Sequence, residues 1–200
     1  MEPLTVALHG VRRSRLKAGD HALVMGAGPI GLLTLQCALL AGARAAVVTE
    51  VDPTRAALAS RLGAAAVLDP RRDNIAVALS AHTDTRGPDV VFICTGAPAA
   101  YRDAVSLVRK GGQIFLLGLC VEPVEADFMS VVLSDLCIEG SLAGRAEFPA
   151  AIDFVAQRRV EVEALVSHEI TLDDVPIAGF ERLNTPGSGA VKILVKVGGE

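Results

Sequence analysis

The sequence lacks the marks of a disulfide-stapled, nucleic-acid-binding or membrane protein. Its four cysteines, Cys37, Cys94, Cys120 and Cys137, are scattered and form no C-x-x-C pair. They read as core thiols of a reduced cytoplasmic protein, and four such thiols make a poor zinc site. Basic residues are not in excess: 19 Lys and Arg against 23 Asp and Glu give a formal net charge of −4. That balance argues against a phosphate-coating surface, so no nucleic-acid partner is expected. Long hydrophobic runs are missing too, and no membrane partner is expected. Met1-Glu2-Pro3 has no basic stretch leading into an apolar segment. The greasiest passage, Ala22 to Leu33, is broken by glycines and Pro29 and is too short for a bilayer. What remains is a globular chain of 200 residues, 51% hydrophobic and 21% charged. A chain of this length buries roughly 70% of its unfolded surface and needs no staple.

Short apolar runs alternate with helical stretches. Leu4, Ala7, Leu8 and Val11 recur at helical spacing behind Pro3. Strands are expected at His21–Met25, Ala45–Thr49, Ala66–Leu68, Asp89–Ile93 and Gln113–Leu117. Between them fall helices at Pro29–Ala41, from Pro53 to Gly63, behind an Asp73 cap to about Ala81, and at Pro98–Arg109. Alternation of this kind builds right-handed βαβ crossovers and a doubly wound parallel sheet, an α/β fold. After Gly118 the rhythm changes. A helix is expected at Ala126–Ser134 and a sixth strand at Leu136–Leu142. Another helix is expected at Glu147–Arg158 with Phe148, Ile152 and Val155 on one side. The tail offers strands at Ser167–Thr171 and Ala190–Val197, a helix from Leu172 to Leu183, and a turn at Thr185-Pro186-Gly187-Ser188-Gly189. This tail is expected to join a different sheet.

Gly26-Ala27-Gly28-Pro29-Ile30-Gly31 is a G-x-G-x-x-G that follows a strand and opens a helix. In that setting each glycine has a task. Gly26 permits the tight turn, Gly28 lets the backbone approach a pyrophosphate, and Gly31 lets helix and strand pack closely. The free N–H groups and positive dipole end of the helix then face the anion. Glu50 ends the second strand 19 residues after Gly31, where a carboxylate accepts ribose hydroxyls and repels a 2′-phosphate. The cofactor is therefore expected to be NAD, not NADP. Asp52 competes for this role, but it precedes Pro53 and suits a helix start better.

Other nucleotide chemistries lack their motifs. There is no G-x-x-x-x-G-K-[ST] for phosphoryl transfer and no G-x-S-x-G nucleophile elbow. Position 30 is Ile, which disfavours a methyltransferase-type G-x-G-x-G turn. The only tyrosine, Tyr101, has Val105 four residues on, so the Tyr-x-x-x-Lys pair of short-chain dehydrogenases is missing. His9, His21, His82 and His168 have no convergent partners in the sequence and read as structural or solvated. Arg12-Arg13, Arg71-Arg72 and Arg158-Arg159 read as solvated helix faces.

With these residues in view, the chain resembles the C-terminal, cofactor-domain part of the zinc-type medium-chain alcohol and polyol dehydrogenases, in the branch of sorbitol, butanediol and threonine dehydrogenases. The likeness runs through Glu2-Pro3-Leu4-Thr5-Val6-Ala7-Leu8-His9, Val24 to Gly31, Arg61-Leu62-Gly63-Ala64, Cys94-Thr95-Gly96, and Gly111-Gly112 to Leu117-Gly118-Leu119. The resemblance implies a six-stranded Rossmann domain over 19–164. Residues 1–18 would be a connecting helix from a GroES-like catalytic domain, and 165–200 would return to that domain. It further implies that Gly28, Pro29 and Ile30 meet the pyrophosphate, Glu50 holds the adenosine ribose, and Arg55 lies against the adenine ribose or ring. Thr95 and the backbone of Leu117 and Leu119 would flank the nicotinamide, and the backbone of Ser141 and Ala143 would bind its carboxamide.

In such enzymes a zinc-bound secondary alcohol or polyol gives hydride to NAD. Only Glu2 matches a position near that zinc, as a neighbour of its ligands or an occasional ligand itself. No catalytic residue is expected in this chain, because one carboxylate cannot make a catalytic zinc site. Two readings stand: the cofactor-binding part of an NAD-dependent zinc-type oxidoreductase, or a stand-alone NAD(H)-binding module without catalysis. The zinc-free quinone-reductase branch is disfavoured, since its members prefer NADP(H) and Glu50 opposes that. Relatives pair through the sheet-edge strand, here Cys137 to Leu142, so a homodimer or higher assembly is expected. An uncovered apolar interface is expected on the first helix and the tail.

Overall fold

The computed structural model describes residues 1–185 and 187–198. Pro186, in the expected tail turn, lies outside the described residues. Six parallel strands form the central sheet: β1 (His21–Met25), β2 (Ala45–Thr49), β3 (Ala66–Leu68), β4 (Val90–Ile93), β5 (Gln113–Leu116) and β6 (Cys137–Gly140). Their order is β3-β2-β1-β4-β5-β6, the doubly wound arrangement whose direction reverses between β1 and β4. The strands are short aliphatic runs because both sheet faces are covered. All five residues of β1 and all four of β4 are buried.

Strand alternation sends side chains to two cores. Ala22, Val24, Val48, Phe92 and Phe115 face one side, under α1 (Glu2–Arg13), α2 (Pro29–Leu40), α3 (Pro53–Arg61) and α7 (Phe148–Ala156). Leu23, Met25, Val47, Val91, Ile93 and Ile114 face the other, under α4 (Ile75–Ser80) and α5 (Pro98–Leu107). On α1, Leu4, Ala7, Leu8 and Val11 are buried, as their spacing predicts, with α2 packed against α1. The apolar face of the first helix is thus covered within the chain, contrary to expectation. α2 is apolar all round because it is enclosed between α1 and the sheet, and eight of its twelve residues are buried.

The tail makes its own sheet. A 3-10 turn at Glu163–Leu165 leads into β7 (Val166–Thr171), which pairs in parallel with β8 (Lys192–Lys196). The helix expected from Leu172 to Leu183 is shorter, a π-helical segment at Val175–Glu181 followed by one α-helical turn at Arg182–Asn184. Two long-range ties seat this tail. Gln36 grips the Glu161 backbone from both ends of its amide: Oε1 accepts from the N–H at 2.7 Å, and Nε2 donates to the carbonyl at 3.2 Å. Arg55 Nη2 donates to the Ala190 carbonyl at 2.8 Å.

Several local expectations are corrected. Asn74, not Asp73, caps α4, its side chain accepting from Val77 N. The Asp73 carboxylate instead takes the Asp69 N–H. On α7, which packs against α1, the one buried residue is Ala151, while Phe148 and Ile152 stay exposed. Only Cys37 is a buried thiol; Cys94, Cys120 and Cys137 are half-buried. Uncovered apolar side chains gather on α6 (Phe128–Leu133), none of whose residues is buried, and on the tail at Leu172, Ile177, Phe180 and Val197. No helix among the described residues is long and apolar enough to cross a membrane.

Candidate functional site

The site forms where β1 runs into α2. Gly26 takes φ +99, a left-handed conformation that side-chain-bearing residues rarely adopt. That kink turns the chain so that Gly28 caps α2 and Pro29 enters its first turn, where a missing N–H costs nothing. A Cβ on Gly31 would overlap the Gly26 carbonyl oxygen, so the helix can lie this close to the turn only with glycine there. Gly28 differs: apart from its chain neighbours, no atom of the described residues lies within 4 Å of its Cβ position. The open space lies at the N-terminus of a twelve-residue helix, where N–H groups point outward. Pro29 and Ile30 beside it are half-buried.

Glu50 extends β2 by one residue toward this turn. Its Oε2 accepts the Ala27 N–H at 2.7 Å, and its Oε1 accepts the N–H groups of Val51 and Asp52 at 2.7 and 2.8 Å. Three backbone donors therefore hold the carboxylate against the glycine turn, joining two loops that the sequence keeps apart. Asp52 has the other role: its side chain caps α3 by accepting from Thr54 N and Arg55 N. The Arg55 guanidinium lines a cavity of about 520 Å³ together with Val51, Arg71 and Asn184.

On the far side of the turn, Thr95 follows β4 and Leu117 follows β5. Gly118 sits so tightly on the Thr95 backbone that a Cβ there would collide with it. Leu117 is buried over Gly10, whereas Leu119 is exposed. Ser141 and Ala143 lie beyond β6. Ser141 N donates to Leu116 O at 3.3 Å, its hydroxyl is buried with no hydrogen-bond partner among the described residues, and Ala143 takes φ +56. The structure thus brings Gly26, Gly28, Gly31 and Glu50 together, and aligns Thr95, Leu117 and Gly118 at the ends of the neighbouring strands. The residues fit a dinucleotide: a Cβ-free cradle at a helix start, with a carboxylate at the end of the next strand.

Zinc is a different matter. Among the described residues no three His, Cys, Asp or Glu side chains are placed to hold a metal ion together, and Glu2 is exposed at the start of α1. The residues present do not fit that ion. The thiols of Cys37 and Cys94 are not nucleophiles either. Burial pushes Cys37 and Cys94 up to about 12.

Three contacts near the site have no counterpart in the sequence reading. Tyr101 donates its hydroxyl to the Gly118 carbonyl at 2.8 Å, propping the loop after β5. Arg71 and Arg72 are not on a helix face; they lie in the loop after β3 and converge on the buried Asp69. His9 Nδ1 meets Glu147 Oε1 at 3.0 Å inside the molecule, joining α1 to the start of α7. Of these, only the short spacing of Asp69, Arg71 and Arg72 could have been noticed in the sequence.

The pair at α1 and α7 gives a prediction. Burial alone would raise the Glu147 carboxyl, but hydrogen bonds from His9 and from the Arg145 N–H outweigh it and hold the group below the usual carboxylate range. Such a group stabilises the fold at pH values above its unfolded pKa and ceases to do so as pH falls through the folded value. Glu147→Gln should therefore flatten the loss of stability on acidification below about pH 4.3. Urea denaturation midpoints measured from pH 7 to pH 3 check this. Parallel curves for the two proteins would refute it.

Fold and cradle together define a dinucleotide-binding α/β unit. Residues 29–157 match the zinc-binding dehydrogenase family, and the chain belongs to that family. Among curated relatives it is 35% identical over 196 residues to (R,R)-butanediol dehydrogenase of Bacillus subtilis, covering 98% of this chain and 56% of the relative. It is also 35% identical over 175 residues to L-threonine 3-dehydrogenase of Rhizobium rhizogenes, covering 86% and 50%. The crystal structure of the Bacillus subtilis 2R,3R-butanediol dehydrogenase superposes with a TM-score of 0.89 at 33% identity, over 98% of this chain and 56% of that one. A zinc-binding dehydrogenase from Sinorhizobium meliloti, solved with NADP bound, superposes with a TM-score of 0.87 at 33% identity, over 97% and 57%. The chain spans about half the length of the relatives it matches.

Proposed function

We infer that this chain is the cofactor-binding part of an NAD-dependent zinc-type oxidoreductase, passing hydride between a secondary alcohol or polyol and NAD. The observation that carries the reading is the open helix start at Gly28 with the Glu50 carboxylate fixed beside it. In this reading the N–H groups at the start of α2 take the pyrophosphate, and Glu50 takes the adenosine ribose. Arg55 lies along the adenine side, and Thr95 with the backbone of Leu117 and Leu119 flanks the nicotinamide. The backbone of Ser141 and Ala143 holds the carboxamide. NAD supplies the hydride acceptor; this chain binds and orients it.

NADP in the Sinorhizobium meliloti relative is that protein's cofactor. Glu50 is the argument for NAD here, because its charge would face a 2′-phosphate. Residues 19–164 are the binding unit in this reading, with 1–18 and 165–200 tying it to a GroES-like catalytic partner. The apolar surface left on the tail supports that view. The chain on its own should turn over alcohols at a negligible rate. Among the described residues β6 is an edge strand, and Ile138 on it and Leu142 just beyond it are exposed. It supports pairing of two copies edge to edge, and the partly exposed thiols suit a reducing cytoplasm.

Calorimetric titration tests the reading. NADH should bind this chain at least about tenfold more tightly than NADPH, a difference of about 1.4 kcal/mol. No NADH binding, or a preference for NADPH, would remove the reading.

A further inference from the structure

Beyond Glu50 lies a second acidic position, Asp69. Strand pairing sets it there: Thr49 is in register with Leu68, and Glu50 N donates to Leu68 O at 2.9 Å. The residues that follow, Glu50 and Asp69, therefore leave the sheet side by side. Asp69 is only 6% exposed. Its Oδ1 accepts from Arg71 Nε and from the Arg71 backbone N–H, both at 3.0 Å, and its Oδ2 accepts from Arg71 Nη2 at 2.8 Å. Arg72 Nε lies 3.0 Å from the same Oδ2. Arg71 Nη2 also donates to the Val51 carbonyl at 2.7 Å, in the turn that holds Glu50.

Arg71, Arg72, Glu50 and Asp69 all line one cavity of about 270 Å³, together with Asp52 and Asp73. Two arginines at the ribose end would ordinarily invite a phosphate, through paired charge-assisted hydrogen bonds. Here four carboxylates outnumber them, and a buried one holds both. We propose that Asp69 is a specificity-determining residue that excludes 2′-phosphorylated dinucleotides by keeping Arg71 and Arg72 engaged, acting through those arginines without touching the cofactor. The proposal rests on the NAD(H)-binding reading above and adds a second layer to it. Glu50 repels the 2′-phosphate directly, and Asp69 withholds the cations that would offset that repulsion.

The test compares affinities for NADH and NADPH, measured by titration of the 200-residue chain and its variants. Glu50→Gln removes the charge and keeps one of the two acceptor oxygens, enough for the Val51 and Asp52 N–H groups but not for that of Ala27 as well. Every comparison is therefore made within the Glu50→Gln background. Adding Asp69→Asn to it should raise NADPH affinity by a further factor of about ten, the worth of one charge-assisted hydrogen bond, with NADH affinity little changed. Placing Arg71→Gln and Arg72→Gln on that double variant should cancel the gain. A merely structural role for Asp69 would weaken both dinucleotides alike and would not be reversed by removing arginines.

A second comparison needs no change at Asp69. In the Glu50→Gln protein, Arg71→Gln with Arg72→Gln should leave NADPH affinity unchanged, because Asp69 already holds both side chains back. A loss there would show that the arginines reach the phosphate with Asp69 in place, and would overturn the proposal. So would an unmoved NADPH-to-NADH ratio on Asp69→Asn. If the unaltered chain binds no NADH, the functional reading falls and this proposal with it. If NADH binds and only the ratio fails to respond, this proposal falls alone.

Discussion

Gly31→Ala should lower the stability of the chain by about 3 kcal/mol, at the severe end of overpacking, and weaken NADH binding about a hundredfold. The added methyl would be driven into the Gly26 carbonyl oxygen, with Cys94 close behind it. Neither the turn nor the helix can absorb that. Gly26 is fixed at φ +99 by the kink it makes, and α2 is enclosed between α1 and the sheet. Relief must come from lifting the start of α2, which moves the N–H groups proposed to take the pyrophosphate. Losing two charge-assisted hydrogen bonds accounts for the predicted hundredfold.

Gly28→Ala makes the contrast. Its φ of −68 and ψ of 179 suit any residue, and its Cβ would enter open space. Stability should stay within about 0.5 kcal/mol of the parent, while NADH binding falls about tenfold because the methyl occupies the anion's approach. Thermal melts and NADH titrations of both variants separate packing from binding. Equal effects of the two substitutions on either readout would contradict the assignment of roles.

The second large effect lies in the sheet. Phe92→Ala should cost about 3–5 kcal/mol, a sizeable share of the 5–15 kcal/mol that holds an ordinary domain together. Phe92 is completely buried on β4, between β1 and β5, with its ring centroid 6.2 Å from that of Phe115. Removing the ring leaves a void that the covered sheet cannot collapse into. The same strand leads to Thr95, so the loss should carry into the proposed nicotinamide end. Phe92→Leu keeps most of the volume and should cost less than about 1.5 kcal/mol. Urea denaturation checks the pair: the midpoint should drop with unchanged slope. A midpoint shift for Phe92→Ala no larger than for Phe92→Leu would count against the core as described.

The order of elements was readable in the sequence because a parallel sheet covered on both faces needs unbroken aliphatic strands. His21–Met25, Ala45–Thr49 and Val90–Ile93 satisfy that need with little polar interruption. The glycine turn was readable for a similar reason: Gly26 and Gly31 stand where no side chain fits. Harder to read were choices between chemically equivalent neighbours. Asp73 and Asn74 can each cap a helix, and the nearby Asp69 N–H decides which is free to do so. On α7 the helical period permits two apolar stripes, and only the nearness of α1 selects the one with Ala151.

Least readable were the long-range polar ties. His9 with Glu147, Gln36 with Glu161 and Arg55 with Ala190 each join residues more than a hundred positions apart. No periodicity encodes them. The meaning of Asp69, Arg71 and Arg72 was hidden likewise, since it depends on β2 and β3 lying side by side.

The tie between Arg55 and Ala190 bears on how a purine would be received. A guanidinium is a flat plate that bonds through its rim and stacks through its faces. Here part of the rim, Nε and Nη2, is spent on one carbonyl of the tail. The plate is thereby held at a set tilt before any base arrives, and a ring could settle on it without breaking the bond. A stretch of backbone from the far end of the chain thus acts as the bracket for a shelf on α3.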